Sequence, residues 1–266
     1  MPNILLIGAG KMGGAMLRSW TQDSNNNITV LDPGETEAIK AAVQAGATHI
    51  TQSSDISTDI QIAVLAIKPQ LFKKIMPDIA PHIPTEALII SVLAGTSLSS
   101  LEAGFPKNPI IRAMPNTPAS IGKGITAVTG NKNSTKAHLN TAIQLLSPCG
   151  PVRPVKNEDL IDAVTAISGS GPAYVFYLVE ALAASGMKLG LTPEDAQAFA
   201  KHMVVGAGAL LESSEEDPSQ LRRNVTSPNG TTQAALDVLM DEAGLAQLMH
   251  KTTRAAYSRA QALAKE

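Results

Sequence analysis

A glycine-rich turn directly after the first apolar segment constrains this chain more than any other sequence feature. Residues 8–13 fit the pattern Gly-x-Gly-x-x-Gly, follow the apolar run Ile4–Ile7 and open a helical pattern. In such a turn the first glycine allows a tight reversal, the second lets a pyrophosphate approach the backbone, and the third lets helix and strand pack closely. The motif residues are Gly8, Ala9, Gly10, Lys11, Met12 and Gly13. We therefore predict a dinucleotide-binding site here, the alternative being a plain strand-to-helix turn.

The first part of the chain alternates strand-like runs with helical patterns. Continuous apolar runs are typical of strands that are buried on both faces of a parallel sheet. These runs are Ile4–Ile7, Ile28–Leu31, Ile60–Ile67, Leu88–Leu93 and Ile110–Ala113. Helical patterns lie between them, at Lys11–Trp20 and Thr36–Ala45 for example. The alternation predicts an α/β fold with an N-terminal Rossmann-type, doubly wound parallel sheet, to which 126–129 and 152–155 would add edge strands.

After about residue 158 the pattern becomes helical. The helical segments are Glu158–Ile167, Ala173–Ser185, Pro193–Glu212, Gln233–Glu242 and Leu245–Lys265. We expect a dinucleotide-binding domain over 1–160 and an all-α domain over 161–266. Several of these helices lack a polar face, and a unit of this size cannot bury them alone. We therefore predict that the C-terminal domain is a dimerisation domain, the alternative being a tight monomeric bundle.

Asp32 ends the second strand, 22 positions after Gly10. An acidic residue at this spacing accepts hydrogen bonds from the adenosine ribose and repels the 2′-phosphate of NADP. Asp32 therefore favours NAD(H). NADP(H) stays open, because the Pro33-Gly34 turn could offer N–H groups and Lys11 or Lys40 could offer charge. Asp32 could also simply cap the following helix.

Further cofactor contacts are expected where later strands end. Ala66, Lys68 and Pro69 close a long strand at the edge of the sheet where ligands bind, although a solvated lysine is also common there. Asn116 follows another strand, and its side-chain amide suits a nicotinamide carboxamide. An Asn-Thr-Pro segment is also an ordinary turn.

Charge and cysteine content exclude several classes of function. The 21 basic and 23 acidic side chains give a formal charge of −2, so nothing favours nucleic acid or an anionic membrane surface. One cysteine, Cys149, allows neither an intrachain disulfide nor a Cys-rich metal site, and we expect it to be a packing residue. The apolar runs are too short for a signal peptide or a membrane span. We expect a cytoplasmic protein with a small-molecule substrate and no metal.

Two loops rich in small residues precede helices in the second domain. They are residues 168–172 (Ser-Gly-Ser-Gly-Pro) and 227–232 (Ser-Pro-Asn-Gly-Thr-Thr). A helix N-terminus of this kind presents N–H donors and hydroxyl groups to a carboxylate or phosphate. The alternative for each loop is ordinary helix capping, by Ser170 and by Thr231.

Together these motifs resemble the pyrroline-5-carboxylate reductase family over essentially the whole chain. The matching segments, in chain order, are 8–13, Ala-x-Lys-Pro at 66–69, Arg-x-Met-Pro-Asn-Thr-Pro at 112–118, Asp159–Ala166 running into Ser168–Tyr174, Gly186–Leu191 and 227–232. One departure is Asn229, which stands where the family usually has glycine. Because asparagine tolerates left-handed backbone angles, we expect the loop to survive. A second departure is Asp32, which replaces side chains common in members that use NADP.

The resemblance implies hydride transfer from NAD(P)H to the C=N bond of 1-pyrroline-5-carboxylate, which gives L-proline. It implies that Gly230, Thr231 and Thr232 bind the substrate carboxylate through backbone N–H groups, and that the hydroxyl of Thr232 lies near the ring nitrogen as the catalytic group. It places Ser170, Gly171, Glu215 and Val225 at the pocket. In relatives the helical domains of two chains interlock, the pocket is shared across that interface, and dimers often assemble into decamers.

Two other functions fit parts of the sequence. A dehydrogenase of the β-hydroxyacid or imine-reducing type shares this organisation, but its helix-borne lysine would have to be Lys188 or Lys201, and neither lies in a suitable glycine-rich context. A non-catalytic nucleotide-sensing or assembly protein on the same scaffold is the third hypothesis, since a fold alone does not establish chemistry.

Overall fold

The computed structural model describes residues 2–22 and 26–264, which form two compact units. The first unit comprises Met1–Gly169 together with Tyr257–Glu266, and the second comprises Ser170–Ala256. The chain thus divides after Gly169 and returns to the first unit for its last residues. The functional division expected at 160/161 stays a prediction.

The first unit is built on an eight-stranded sheet. Its strand order is β3-β2-β1-β4-β5-β6-β7-β8, and every neighbouring pair is parallel except β6 and β7. The strands are β1 (Asn3–Ile7), β2 (Asn27–Leu31), β3 (Thr48–Ile50), β4 (Ile62–Leu65), β5 (Leu88–Ser91), β6 (Ile110–Met114), β7 (Thr126–Gly130) and β8 (Val152–Pro154). The α/β, doubly wound fold class is confirmed, and the antiparallel β7 makes the sheet mixed rather than wholly parallel.

Helices cover both faces of this sheet, which explains the continuous apolar runs. Along β1, Ile4 and Leu6 join one hydrophobic core, while Leu5 and Ile7 join the core on the opposite face. All four side chains are essentially inaccessible to solvent. The helices of this unit are α1 (Lys11–Trp20), α2 (Glu37–Gln44), α3 (Phe72–Ile79), α4 (Leu98–Gly104), α5 (Lys136–Leu146) and α6 (Asp159–Val164).

The second unit is helical, as expected. Its helices are α7 (Gly171–Lys188), α8 (Pro193–Ser213), α9 (Pro218–Asn224), α10 (Thr231–Leu239) and α11 (Leu245–Leu263), the last of which runs into the returning segment. The start of α8 follows a common N-terminal pattern, because the Thr192 hydroxyl accepts a hydrogen bond from the Asp195 amide and Pro193 takes the first helical position.

Apolar exposure is the main physical feature of the second unit. Residues 170–256 are all described, and of these only Ala196 and Ala200 are buried. Large apolar side chains such as Phe176, Tyr177 and Leu189 are 62%, 69% and 85% exposed. A monomeric domain rarely leaves so much apolar surface in water. The alternative of a tight monomeric bundle is therefore wrong.

Three details depart from the sequence predictions. The segment expected to be helical over Glu158–Ile167 is α6 followed by a π-helical turn over Thr165–Gly169, and the helix expected to reach Glu242 ends at Leu239. Lys265, the expected end of the last helix, lies outside the described residues. Strand β3 and helix α9 were not predicted, since each is shorter than the window in which periodicity is recognisable.

None of the helices within the described ranges combines the length and the apolar character needed to cross a membrane.

Candidate active site

The glycine turn lies where the strand order of the sheet reverses, between β1 and β4. In doubly wound sheets this position, at the carboxyl ends of the strands, is where ligands bind. Gly8 has φ +91°, and a Cβ added there would lie 2.9 Å from the carbonyl oxygen of Ala66. The Gly8 N–H donates to Leu31 O at 2.9 Å, which ties the turn to the end of β2. No residue with a side chain fits at this position.

The other two motif glycines have opposite surroundings. A Cβ at Gly13 would collide with the carbonyl oxygen of Gly8 and lie 3.2 Å from the Cβ of Ala66, so Gly13 lets α1 pack against the turn. A Cβ at Gly10 would meet nothing within 4 Å. Gly10 is also the N-cap of α1 and has no side chain with which to cap it. Helix α1 therefore begins beside open space, which a Cβ at Gly10 would partly fill and a bound pyrophosphate can occupy.

Asp32 is joined to the glycine turn by its carboxylate. Oδ2 accepts a hydrogen bond from the Ala9 N–H at 2.7 Å, and Oδ1 accepts one from the Gly34 N–H at 2.8 Å. Asp32 does not cap α2, because the Thr36 hydroxyl does so by accepting from the Ile39 N–H. The capping alternative for Asp32 is therefore wrong.

Two groups that could have attracted a 2′-phosphate have other partners. Lys40 forms an ion pair with Glu37 at 3.0 Å, and this pairing raises the pKa of the lysine. The Gly34 N–H is directed at Asp32. Lys11 is exposed at the start of α1, and Met12 packs partly against the hydrophobic core. The described turn after β2 thus presents more negative than positive charge, since Glu35 is exposed beside Asp32.

The segment after β4 continues beside the glycine turn. The Ala66 N–H donates to Ile7 O at 2.8 Å, which extends the pairing of β4 with β1 by one residue. Lys68 is exposed at the start of the 3-10 turn that begins with Pro69 and leads into α3. The structure therefore brings Ala66, Lys68 and Pro69 to the same edge as the glycine turn.

Asn116 lies farther along this edge, after β6, and its amide already has two protein partners. Its Nδ2 donates to Ser168 O at 3.1 Å, and its Oδ1 accepts from the Ile125 N–H at 2.9 Å. The side chain thus ties its own loop to the segment before β7 and to the π-helical turn. One amide hydrogen and one lone pair remain for a ligand, so a cofactor contact at Asn116 stays a prediction.

A partly buried ion pair supports the same edge, and sequence reasoning did not identify it. Arg112 on β6 is 3% exposed, and its Nη1 lies 2.5 Å from Glu158 Oε1, which also accepts from the Leu98 N–H at 2.7 Å. Asp162 lies 3.9 Å from Nη2, and its burial raises the pKa of its carboxyl group. Removing Glu158 would leave the buried Arg112 charge without its nearest partner, so this cluster holds β6, α4 and α6 together.

In the helical unit, the expected carboxylate site is the N-terminus of α10. Asn229 has φ +59°, and among the described residues it is the only non-glycine residue with a positive φ, so the loop keeps the left-handed conformation that asparagine tolerates. Gly230 is the N-cap, and its N–H donates to Ser227 O at 3.1 Å. Thr231 and Thr232 occupy the first two helical positions, whose N–H groups have no acceptor within a helix.

The hydroxyl groups do not act as simple caps. Gly230 rather than Thr231 holds the N-cap position of α10, and Ser170 holds the N-cap position of α7 without a side-chain capping bond. Gly171 opens α7, Glu215 lies in the loop after α8, and Val225 directly follows α9 and is 62% exposed. The capping alternatives are therefore wrong, while the substrate roles stay predictions.

Cys149 is buried, and its burial raises the pKa of the thiol. The interpretation of Cys149 as a packing residue is confirmed.

Comparison with known proteins assigns both parts of the chain. The family model described as pyrroline-5-carboxylate reductase dimerisation matches residues 158–263, and the model described as NADP oxidoreductase, coenzyme F420-dependent, matches residues 3–95. The pyrroline-5-carboxylate reductase of Pseudomonas aeruginosa is 38% identical over all of this chain and 98% of its own length.

Solved structures agree with these matches over the full chain. A pyrroline-5-carboxylate reductase from Coxiella burnetii superimposes with a TM-score of 0.91 at 32% identity, covering 100% of this chain and 99% of its own. The Plasmodium falciparum pyrroline carboxylate reductase with NADP bound gives a TM-score of 0.82 at 25% identity, covering 99% and 98%. The mixed sheet carries the glycine turn, the helical unit matches the dimerisation model, and the similarity extends over the whole chain. This chain therefore belongs to the pyrroline-5-carboxylate reductase family.

Proposed function

We propose that this protein reduces the C=N bond of 1-pyrroline-5-carboxylate to give L-proline, with NADH as the preferred reductant. Family membership over the whole length supports the reaction, because both the dinucleotide turn and the second-domain loops occur in one chain. The observation that carries the substrate assignment is the N-terminus of α10, where a left-handed Asn229 leads into amide groups without a side-chain cap.

The substrate carboxylate binds at this helix start. The N–H groups of Thr231 and Thr232 point out of the first turn of α10, and the positive end of the helix dipole favours an anion there. Gly230 contributes by shape rather than by its N–H, since that group already donates to Ser227 O. A Cβ at Gly230 would collide with the Ser227 hydroxyl oxygen and lie 3.1 Å from the Ser227 carbonyl oxygen, so a larger residue would displace the Ser227 side chain from this turn.

Thr232 is the proposed catalytic residue. A cyclic imine needs a proton on nitrogen as its carbon accepts hydride, and a substrate that binds already protonated needs no strong acid from the protein. The Thr232 hydroxyl orients this nitrogen or relays a proton to it. Ser170, Gly171, Glu215 and Val225 complete the proposed pocket as the family resemblance assigns them.

The cofactor binds at the turn between β1 and α1. Gly10 leaves the space for the pyrophosphate, the N-terminus of α1 offers N–H donors, and Ala66 to Pro69 line the neighbouring strand end. A bound reduced nicotinamide supplies the hydride, and the rate enhancement then depends chiefly on holding donor and acceptor carbons in reacting geometry.

The turn after β2 supports the preference for NADH. Asp32 places a carboxylate where the adenosine ribose is read, while Lys40 is paired with Glu37 and the Gly34 N–H with Asp32. A 2′-phosphate would lie close to the Asp32 carboxylate, and the ion pair with Glu37 partly neutralises Lys40, so NADPH should bind more weakly. The Plasmodium relative has NADP bound, so the preference is a property proposed for this chain and not for the family.

The helical unit dimerises with a second copy of the chain, and the family resemblance also implies assembly of dimers into a decamer. The exposed apolar side chains of α7 and α8 support this, together with the match to the dimerisation model over 158–263. Sedimentation should give a mass of at least twice 27.7 kDa. Phe199→Asp, at a side chain 64% exposed, should lower this mass, while Lys136→Asp, a control on exposed α5, should not.

Steady-state kinetics with pyrroline-5-carboxylate and either nucleotide test the reaction and the preference together. We expect turnover with both nucleotides, L-proline as the product and kcat/KM for NADH higher by about tenfold or more, as a hydrogen bond to a charged group would give. Absence of turnover with both nucleotides refutes the reaction. An equal or reversed ratio refutes the preference alone.

A further inference from the structure

Asp32 is held in the structure at four points. Its N–H donates to Ile50 O at 3.2 Å, and its carbonyl oxygen lies 2.9 Å from Nε2 of His49. Its two carboxylate oxygens accept from the Ala9 and Gly34 N–H groups. Both the backbone and the side chain of Asp32 are therefore fixed before any ligand binds.

Three of these four contacts are made by backbone groups of other residues. The fourth is made by the side chain of His49. It lies on β3, the edge strand of the sheet, where the register pairs it with Val30. Because side chains alternate between the faces of a sheet, His49 lies on the same face as Val30 and reaches toward Asp32, two residues on. The imidazole is part-buried there.

The partner of His49 determines which ring nitrogen carries hydrogen. A backbone carbonyl oxygen only accepts hydrogen bonds, so Nε2 must be the donor. This bond therefore requires a side chain with a hydrogen-bond donor at that distance. The side chain of phenylalanine has a similar size but no such donor.

We propose that His49 is a positioning residue that determines specificity for the adenosine ribose, by holding the backbone of Asp32 so that its carboxylate faces the ribose hydroxyl groups. The inference rests on the proposed use of NADH. An ionised carboxylate has about four acceptor positions. Two are taken by Ala9 and Gly34, which leaves two for the two vicinal hydroxyl groups of an unphosphorylated ribose. A 2′-phosphate removes one of those hydroxyl groups and adds negative charge beside the carboxylate.

Two substitutions separate the hydrogen bond from the bulk of the ring. His49→Phe keeps an aromatic ring and removes the donor, whereas His49→Gln keeps an N–H donor that can reach the same carbonyl. Direct titration of nucleotide fluorescence gives the dissociation constants for NADH and NADPH without any turnover. We expect His49→Phe to weaken NADH binding about three- to tenfold, the usual effect of one lost hydrogen bond, to weaken NADPH binding less, and to leave kcat unchanged. His49→Gln should restore most of the NADH affinity.

Displacement of NADH by fragments locates the effect within the nucleotide. AMP carries the adenosine ribose, and nicotinamide mononucleotide lacks it. His49→Phe should weaken AMP and leave nicotinamide mononucleotide unchanged. His82→Phe, at an exposed histidine of the same unit, should change neither. Thermal unfolding shows whether each variant is folded, and His49→Leu replaces His49→Phe if that variant unfolds.

Three results would overturn the proposal: unchanged NADH affinity in a folded variant without the donor, an equal loss for NADH and NADPH, or weaker binding of nicotinamide mononucleotide. Failure of the proposed reaction is a different result. It would appear as absence of turnover with pyrroline-5-carboxylate in the unmodified protein, while the binding measurements on His49 would still be decisive.

Discussion

Alanine at Gly13 should lower stability, whereas alanine at Gly10 should weaken nucleotide binding without lowering stability, although both add the same methyl group to one turn. At Gly13 the added Cβ meets the backbone oxygen of Gly8, which cannot move without displacing β1 or α1. Overpacking of this kind costs about 1–3 kcal/mol, and at about 2–4 °C per kcal/mol for a protein of this size the melting temperature should fall by roughly 2–12 °C.

At Gly10 the added Cβ meets no atom within 4 Å, and the residue has φ −68°, which alanine adopts without strain. Gly10→Ala should therefore leave the melting temperature unchanged or raise it slightly. The methyl group would occupy the surface at the start of α1 and displace a pyrophosphate. Loss of one charge-assisted hydrogen bond, about 1.5–3 kcal/mol, corresponds to roughly 10- to 100-fold weaker binding of NADH.

Differential scanning fluorimetry measures the melting temperature of both variants, and NADH titration measures their dissociation constants. The reasoning about the turn is refuted if Gly10→Ala binds NADH normally, or if Gly13→Ala melts at the unmodified temperature. Gly46→Ala is a useful comparison for strain alone, since its φ is +99° but its Cβ would meet nothing within 4 Å, and it lies away from the turn. It should lower stability without changing nucleotide affinity.

Three further predictions concern single side chains. Asp32→Ser should lower the NADH-to-NADPH ratio of kcat/KM by roughly 10- to 100-fold, and should also weaken both nucleotides because the Ala9 N–H loses its acceptor; an unchanged ratio would show that Asp32 does not read the ribose. Thr232→Ala should lower kcat by about tenfold or more while the NADH dissociation constant stays the same, and unaltered kcat would remove Thr232 from the mechanism. For Asp162 the pKa is raised in the fold, so the folded state keeps its proton longer than the unfolded state, and stability falls as pH rises through this interval. The substitution Asp162→Asn should therefore raise the melting temperature more, or lower it less, at pH 7 than at pH 4. The opposite difference would show that burial does not raise the pKa of Asp162.

The fold was predictable because its main signals are local. The run Ile4–Ile7 is buried on both faces, and the glycine pattern follows it directly, so periodicity and turn chemistry agree on one architecture. The antiparallel direction of β7 was not predictable, because strand direction depends on pairing with β6 and leaves no trace in composition. The same holds for β3, a three-residue strand at the edge of the sheet, where it pairs with β2.

Some site residues are likewise identified from the sequence, whereas the contacts of others appear only in the structure. Gly8, Gly10 and Gly13 are identified by spacing. The fold requires glycine at Gly8 and Gly13, whereas Gly10 leaves open space at the start of α1. The contacts of Asn116 with Ser168 and Ile125 span 52 and 9 positions, and no pattern along the chain indicates that its amide already has these partners. Arg112 and Glu158 are 46 positions apart and meet only in the folded sheet.

The first unit is made of two separate stretches of chain, and this has a consequence for how the molecule can be divided. Its last segment returns near Gly95, where an added Cβ would lie 3.2 Å from the Cβ of Leu263. A fragment that stops before the second unit would lack this segment and would expose the loop after β5. The eight strands are all made by residue 154, whereas the helical segment that packs at Gly95 follows about a hundred residues later. During synthesis the complete sheet must therefore wait, with the loop after β5 uncovered, until this segment has been made.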